Sequence, residues 1–247
     1  MNAATRAAKD LVIANRILAH LGIVEAFGDV SVRHPLDKSR FLLACCRSPG
    51  TVVLDDIVEF TFDGAPVGGT ARGRNIEELA GERFIHGAVY EARPDIRAVL
   101  HASPEDVLPF CVTQTPLRPV IGTVGDMGLE VPVWDIADRF GSATSLQVSN
   151  LEQGRDLARC LGSNRVVLLR GEGMVVTGRT LNDLVRLAAY IPRNGRTIVA
   201  AAPFGPLVGI SAGESAARLA IDPESNALRR GWEYWARLAG CDQWLAD

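Results

Sequence analysis

The sequence predicts a single α/β domain built around a mostly antiparallel sheet. Three observations carry that expectation. Short segments with the alternation of strands follow one another across turn signals, capped helical segments lie among them, and no linker divides the 247 residues. A chain of this length can bury a substantial core as one domain spanning residues 1–247.

The elements follow in order. Leu11, Asn15, Leu18 and Leu21 mark one stripe of a helix over residues 5–22, with Gly22 as its stop. Residues 28–33 and 40–45 alternate as two strands around a turn at 34–38. Residues 58–62 and the turn Asp63, Gly64 predict a hairpin returning through 65–67. Asn75-Ile-Glu-Glu78 is a capping box, after which Ile76, Ala80, Phe84 and Ala88 share one helical face. Glu82 and His86 then stand one turn apart. Arg93-Pro94-Asp95 stops that helix, and residues 96–101 form a strand that ends on His101.

Beyond it, Ser103-Pro-Glu-Asp106 predicts a further helix with Ser103 as its N-cap. Residues 130–134 and 165–169 are expected strands, and 153–161 a helix stopped by Gly162. Gly171-Glu-Gly173 turns the chain into 174–177 as a β-hairpin with Glu172 near its tip. Thr180 caps a helix over 181–191 that Pro192 ends, and residues 214–221 and 224–238 form two amphipathic helices.

Composition narrows the function. A formal charge of -3 offers no basic face for nucleic acid. No apolar run approaches the roughly 18 residues of a membrane span, and the first residues lack the layout of a signal peptide, so a cytoplasmic protein is expected. Five cysteines without regular spacing fit neither a disulfide framework nor a zinc ribbon, which leaves free thiols, with at most one of Cys45 and Cys46 facing a site.

Chemistry concentrates between residues 82 and 103, where two of the four histidines fall. A histidine at a strand end faces a cleft, and an acid, Glu82, lies on the preceding helix. Each residue also has a plainer reading. Ser103 is explained by capping, Glu172 by a solvated turn, Asp29 by a turn beside Gly28, and His101 by burial with its ring nitrogens hydrogen-bonded. His86 either orients Glu82 or packs on the helix face.

Glu82-Arg-Phe-Ile-His86, Tyr90-Glu-Ala-Arg-Pro-Asp95 and Ala98-Val-Leu-His101 together resemble the core signature of the class II aldolase/adducin family. Phe27-Gly-Asp-Val-Ser-Val-Arg33, Val131-Pro-Val-Trp-Asp135 and Leu168-Leu-Arg-Gly-Glu-Gly173 extend the likeness over roughly residues 14–178, with an echo at 231–235. Gly81-Glu-Arg-Phe-Ile-His86 and Pro116-Leu-Arg-Pro119 most resemble the branch that decarboxylates hydroxylated aromatic or pyridine carboxylic acids. The resemblance implies a three-layer α/β/α fold and a homotetramer with sites between subunits. Trp232, Tyr234 and Trp235 could serve such an interface or pack on their own core.

The resemblance also implies a divalent metal held by three histidines. Here His101 matches the first, Ser103 stands at the second and Glu172 at the third. A site at His101 and Glu172, aided by Asp29 and water, would suit magnesium or manganese better than tetrahedral zinc, and a metal-free form is the alternative. Glu82 is the expected proton donor, its pKa raised by partial burial. Asp29, Ser31, Arg47 and Ser103 are candidate substrate contacts. Sugar-phosphate members of the family place two serines before the acid, whereas Ala80 and Gly81 stand here, so a phosphorylated sugar is disfavoured, although Thr70, Gly73 and backbone amides could hold an anion. A small carboxylic acid is preferred, with Arg47, Arg72, Arg74 or Arg118 to clamp its carboxylate.

The resulting expectation is a carbon–carbon lyase acting as a decarboxylase through Glu82, His101 and Glu172. The alternatives are a metal-independent isomerase, dehydratase or cyclase on the same fold, or a non-catalytic member of the family.

Overall fold

A computed structural model describes residues 2–45, 47–68 and 81–245. Helix α1 (Ala3–His20) opens the chain, with the Asn2 side chain capping it by accepting from the Thr5 amide. Strands β1 (Asp29–Arg33), β2 (Arg40–Ala44) and β3 (Ile57–Thr61) follow, then α2 (Arg83–Ala92) and β4 (Ala98–Ala102). The short helix α3 (Leu108–Cys111), strand β5 (Val133–Trp134) and short helix α4 (Ala137–Phe140) lead to α5 (Leu151–Leu161). Strands β6 (Val166–Leu169) and β7 (Gly173–Gly178) precede α6 (Leu181–Ala201), α7 (Ala212–Leu219), α8 (Asn226–Leu238) and α9 (Asp242–Leu245).

The seven strands form one sheet in the order β3-β2-β1-β4-β7-β6-β5. Every neighbouring pair is antiparallel except β5 with β6, so the predicted mostly antiparallel sheet is what forms. Alternation along each strand then sorts side chains to two faces. Val30, Leu42, Ala98, Leu100, Leu168 and Val176 pack in one core with residues of α1, α6 and α8. Phe41, Leu43, Phe60, Val99, Val167 and Val175 pack in the other with residues of α2 and α5. The result is an α/β/α sandwich.

Three expectations need correction. Pro192 does not end its helix: α6 runs on to Ala201. A proline inside a helix costs roughly 3 kcal/mol, and here tertiary contacts offset it. Buried Asn194 holds the following turn, accepting from the Val120 amide at 2.8 Å and donating to the Arg118 carbonyl at 2.9 Å, while Ile198 enters the core. Ser103 caps no helix, because α3 begins only at Leu108 and lacks a side-chain cap. Among the described residues the return limb after Gly64 is one bridge between Phe60 and Pro66, where proline has no N–H to extend a ladder. The capping box at Asn75, with Ile76 and Ala80, lies outside the described residues, as does Cys46.

The C-terminal aromatics divide between the two readings. Trp232 is buried and Trp235 packs against Tyr190 with ring centroids 6.1 Å apart, whereas Tyr234 is exposed. Among the described residues no helix is long and apolar enough to cross a membrane.

A closed charge network ties β6 to α6. Arg165 donates to Asp126 and, at 2.7 Å, to Asp183, while Arg186 reaches Asp126 at 2.5 Å and Asp183 at 2.8 Å. All four are buried. Burial alone raises both carboxyls, and the two guanidinium groups more than reverse it, leaving both below the usual carboxylate range. The folded state therefore binds fewer protons than the unfolded chain. Their contribution is complete above a pH of about 4 and is lost as pH falls through the depressed folded values. Arg165→Met should lower unfolding free energy by about 3–5 kcal/mol, because two buried carboxylates lose a shared partner. Denaturant titration near neutral pH measures this, and a loss within error would show that the network does not hold these elements together.

Candidate functional site

The site begins with backbone geometry at the end of β4. Strand β4 lies between β1 and β7, with His101 opposite Asp29 on one side and Val175 on the other. Alternation sends Leu100 to the α1 face and His101 to the α2 face, so the imidazole meets the entry of α2. Gly173 makes the close approach of the β6–β7 turn possible. Its φ is +127°, and a Cβ there would lie 2.3 Å from the Ala102 carbonyl oxygen, closer than any side chain tolerates. Glu172 is thereby brought beside the strand end.

Glu82 occupies the N-cap position of α2. Its Oε2 lies 2.8 Å from His101 Nδ1, with side-chain exposures of 19% and 5%, so the pair is largely withdrawn from water. The two atoms meet at ion-pair distance without the N–H being aimed squarely at the oxygen, and His101 Nε2 has no hydrogen-bond partner among the described residues. Glu82, His101, Ser103 and Glu172 all line one cavity of about 740 Å³, within the range of small-molecule sites.

The electrostatics depart from expectation at Glu82. Burial pushes its carboxyl up, but the charge of the closely placed His101 and a hydrogen bond from the Val148 amide outweigh that, and the net shift is downward. Burial was expected to leave Glu82 protonated; the imidazole partner decides otherwise. His101 is the mirror image. Burial disfavours its charge, yet Glu82 leads Asp29 and Glu172 in raising its pKa above the ordinary imidazole value. Glu172 is raised by burial and by Glu82, and Asp29 by burial, to about 6.

The other predicted residues scatter. Ser103 lies at the cavity, but its hydroxyl donates to the Glu172 carbonyl oxygen and so latches the turn to β4. Ser31 is fully buried under α2, hydrogen-bonded to His86 Nδ1 at 2.7 Å and to the Tyr90 hydroxyl at 2.9 Å, out of reach of the cavity. His86 therefore packs on the helix face, stacked on Phe41, and does not orient Glu82; burial, followed by the charge of His101, lowers its pKa to about 3. Asp29 is partly buried beside His101 but not in the cavity wall. Arg47 is paired to Asp56 at 2.7 Å and does not line the cavity, nor does Arg118. Thr70, Arg72, Gly73 and Arg74 lie outside the described residues.

Sequence reasoning missed one wall. Ala189, Pro192, Arg193 and Arg196 of α6 also line the cavity. Their spacing of three, four and seven residues is that of one helical face, a signal hidden by ending the helix at Pro192.

The donors also test the implied metal. His101 has a buried, unpartnered Nε2, Ser103 has spent its hydroxyl on a carbonyl, and Glu172 replaces an imidazole by a carboxylate. Among the described residues no three His, Cys, Asp or Glu side chains gather closely enough to hold an ion. One imidazole and one carboxylate fall short of the three protein ligands of a catalytic zinc centre, so the donor set does not fit the metal site the resemblance implies.

Comparison with known proteins agrees with the fold. The sequence is 30% identical over 242 residues to decarboxylase tropJ of Talaromyces stipitatus, covering 90% of this chain and 89% of that one. It is 28% identical over 198 residues to 3,4-dihydroxyphthalate decarboxylase of Arthrobacter keyseri, covering 73% of each. Among solved structures, L-fuculose 1-phosphate aldolase from Glaciozyma antarctica superposes with a TM-score of 0.73 at 21% identity, over 96% of this chain and 89% of that one. An aldolase II superfamily protein from Pseudomonas syringae gives 0.76 at 18% identity, over 97% and 94%. The family model described as Class II Aldolase and Adducin N-terminal domain matches residues 9–198, and with the sandwich and the Glu82–His101 pair in view, the chain belongs to that family.

Proposed function

We propose that this protein is a carbon–carbon lyase that decarboxylates a non-phosphorylated hydroxylated or keto carboxylic acid in the cavity around Glu82, His101 and Glu172. The observation that carries the reading is the buried contact between Glu82 and His101 in the cavity wall. The sequence relatives named decarboxylases support it.

When the bond to the carboxylate carbon breaks, carbon dioxide departs and the electron pair stays on the substrate as an enolate or phenolate-like anion. Charge building on that oxygen needs a donor, and an N–H at His101 Nε2 supplies it from a site largely withdrawn from water. Glu82 is ionised in the resting pair, so it draws the shared proton from Nδ1 and passes it to the carbanion carbon. His101 is left neutral until solvent returns one proton. In sum one proton is taken up and one carbon dioxide released, with no oxidant required.

The reading includes a homotetramer with sites at subunit edges. Phe27 supports it: the ring sits on the cavity rim and is 88% exposed, apolar area that a neighbouring copy would cover. Light scattering should give the mass of four chains, and a strict monomer would remove this part of the proposal.

Carbon dioxide release from a panel of hydroxyaromatic acids tests the activity. Glu82→Gln and His101→Gln should each lower kcat by about 10²- to 10⁴-fold, the usual contribution of a positioned acid–base group, while circular dichroism stays that of the parent. Retention of full turnover by either variant would refute the assignment. Because the donors fall short of a metal centre, release is also expected to persist after dialysis against a chelator. Loss on chelation with recovery on adding manganese would overturn His101 as the donor to the anion.

A further inference from the structure

Among the described residues Leu146 is the one non-glycine residue with a positive φ, +68°. A leucine is unfavourable there because its Cβ crowds the following carbonyl, and a fold keeps such a residue only where its surroundings hold it. Both sides of Leu146 are held. Its amide donates to Thr144 Oγ1 at 3.1 Å. Its side chain packs on the core that α2 and α5 share with the sheet and rests on Gly171, where an added Cβ would lie 3.2 Å from Leu146 Cδ1. Beyond it the chain is locked to α5: the Ser149 amide donates to Gln153 Oε1 at 2.8 Å, and Asn150 Oδ1 accepts from the Gln153 amide at 3.0 Å. Helix α5 packs so closely on α2 that a Cβ at Gly154 would lie 2.4 Å from the Phe84 carbonyl oxygen.

Between these anchors Gln147 stands exposed in the cavity wall, and Val148 is buried with its N–H donated to the Glu82 carboxylate. Glu82 makes no side-chain bond to the amides of its own helix, although it occupies the N-cap. Its carboxylate is therefore placed by His101 on one side and by an amide from a distant loop on the other. The reversal at Leu146 serves both acids of the cavity. It brings an amide to Glu82 while the leucine side chain abuts the turn that carries Glu172.

We infer that Leu146 is a positioning residue for Glu82: its left-handed backbone directs the Val148 N–H at the carboxylate and so fixes the acid against His101. The placement stands on the geometry alone, and its consequence for turnover rests on the decarboxylase reading above. A carboxylate that delivers a proton to carbon must be held in one orientation, because a small displacement of a catalytic group slows the reaction steeply.

Two substitutions separate backbone from packing. Leu146→Ile keeps the side-chain volume, but a β-branched residue is strongly disfavoured at positive φ. Leu146→Asn forfeits the apolar contact with Gly171 and adopts that φ readily. Leu146→Ile should lower kcat for carbon dioxide release by about 10²-fold with KM little changed, whereas Leu146→Asn should keep most of the parent's kcat despite a lower midpoint in denaturant. A packing role alone reverses that order, so a Leu146→Ile variant less impaired than Leu146→Asn would overturn the inference. Hydrogen exchange of the full chain reads the same contact without turnover. The Val148 amide should stay slow in the parent and in Leu146→Asn and exchange about 10-fold faster or more in Leu146→Ile, the effect of losing one hydrogen bond to a charged group. Equal protection in Leu146→Ile and the parent would likewise overturn it. A parent that releases carbon dioxide from no acid contradicts the decarboxylase reading, and the exchange comparison then decides the placement by itself.

Discussion

The contact between the imidazole of His101 and the carboxylate of Glu82 governs this molecule. It joins the end of a central strand to the entry of α2, and it lies where water has little access. Neither group would keep its charge there alone, since burial opposes ionisation of both. Together each sustains the other. The pair thus holds opposite charges at the wall of a cavity, the arrangement on which the proposed proton return to a carbanion relies.

Two groups of buried charge show how the same physics serves different ends. Asp126, Asp183, Arg165 and Arg186 close on one another, and both carboxyls sit below their ordinary range. That arrangement fastens α6 to the sheet, with every carboxylate in it paired to a guanidinium. Around His101 the balance is incomplete: Asp29 and Glu172 are raised, and Nε2 has no partner. An unsatisfied buried donor is costly in a scaffold and useful in a site. Between the two, Ser31 joins His86 Nδ1 and the Tyr90 hydroxyl in a buried polar seam beneath α2 that carries the packing of helix on sheet, with His86 Nε2 left without a partner among the described residues.

Helix α6 links stability to the shape of the cavity. The turn after Pro192 survives because Asn194 and Ile198 are anchored in the interior, and that same turn carries Arg193 and Arg196 into the cavity wall. A local defect in helix propensity is thereby offset by tertiary packing, and the cavity gains a wall from it. The glycine at 173 works comparably, since its left-handed backbone lets the turn bearing Glu172 close against Ala102.

Much of the scaffold was legible from the letters because its signals are local. Alternation at Asp29–Arg33 and Ala98–Ala102 and the caps Asn150 and Thr180 depend on neighbours a few residues away, and the family motif placed Glu82 and His101 together. What only the tertiary structure decided are matters of partners distant in sequence. Ser103 gives its hydroxyl to a turn 69 residues on instead of to a helix, Arg47 is taken by Asp56, and the Glu82 pKa is lowered because His101 is close, where burial alone would have raised it. Periodicity fixes which way a side chain points along its own element; the charge it carries and the group it touches are set by whatever the fold brings against it.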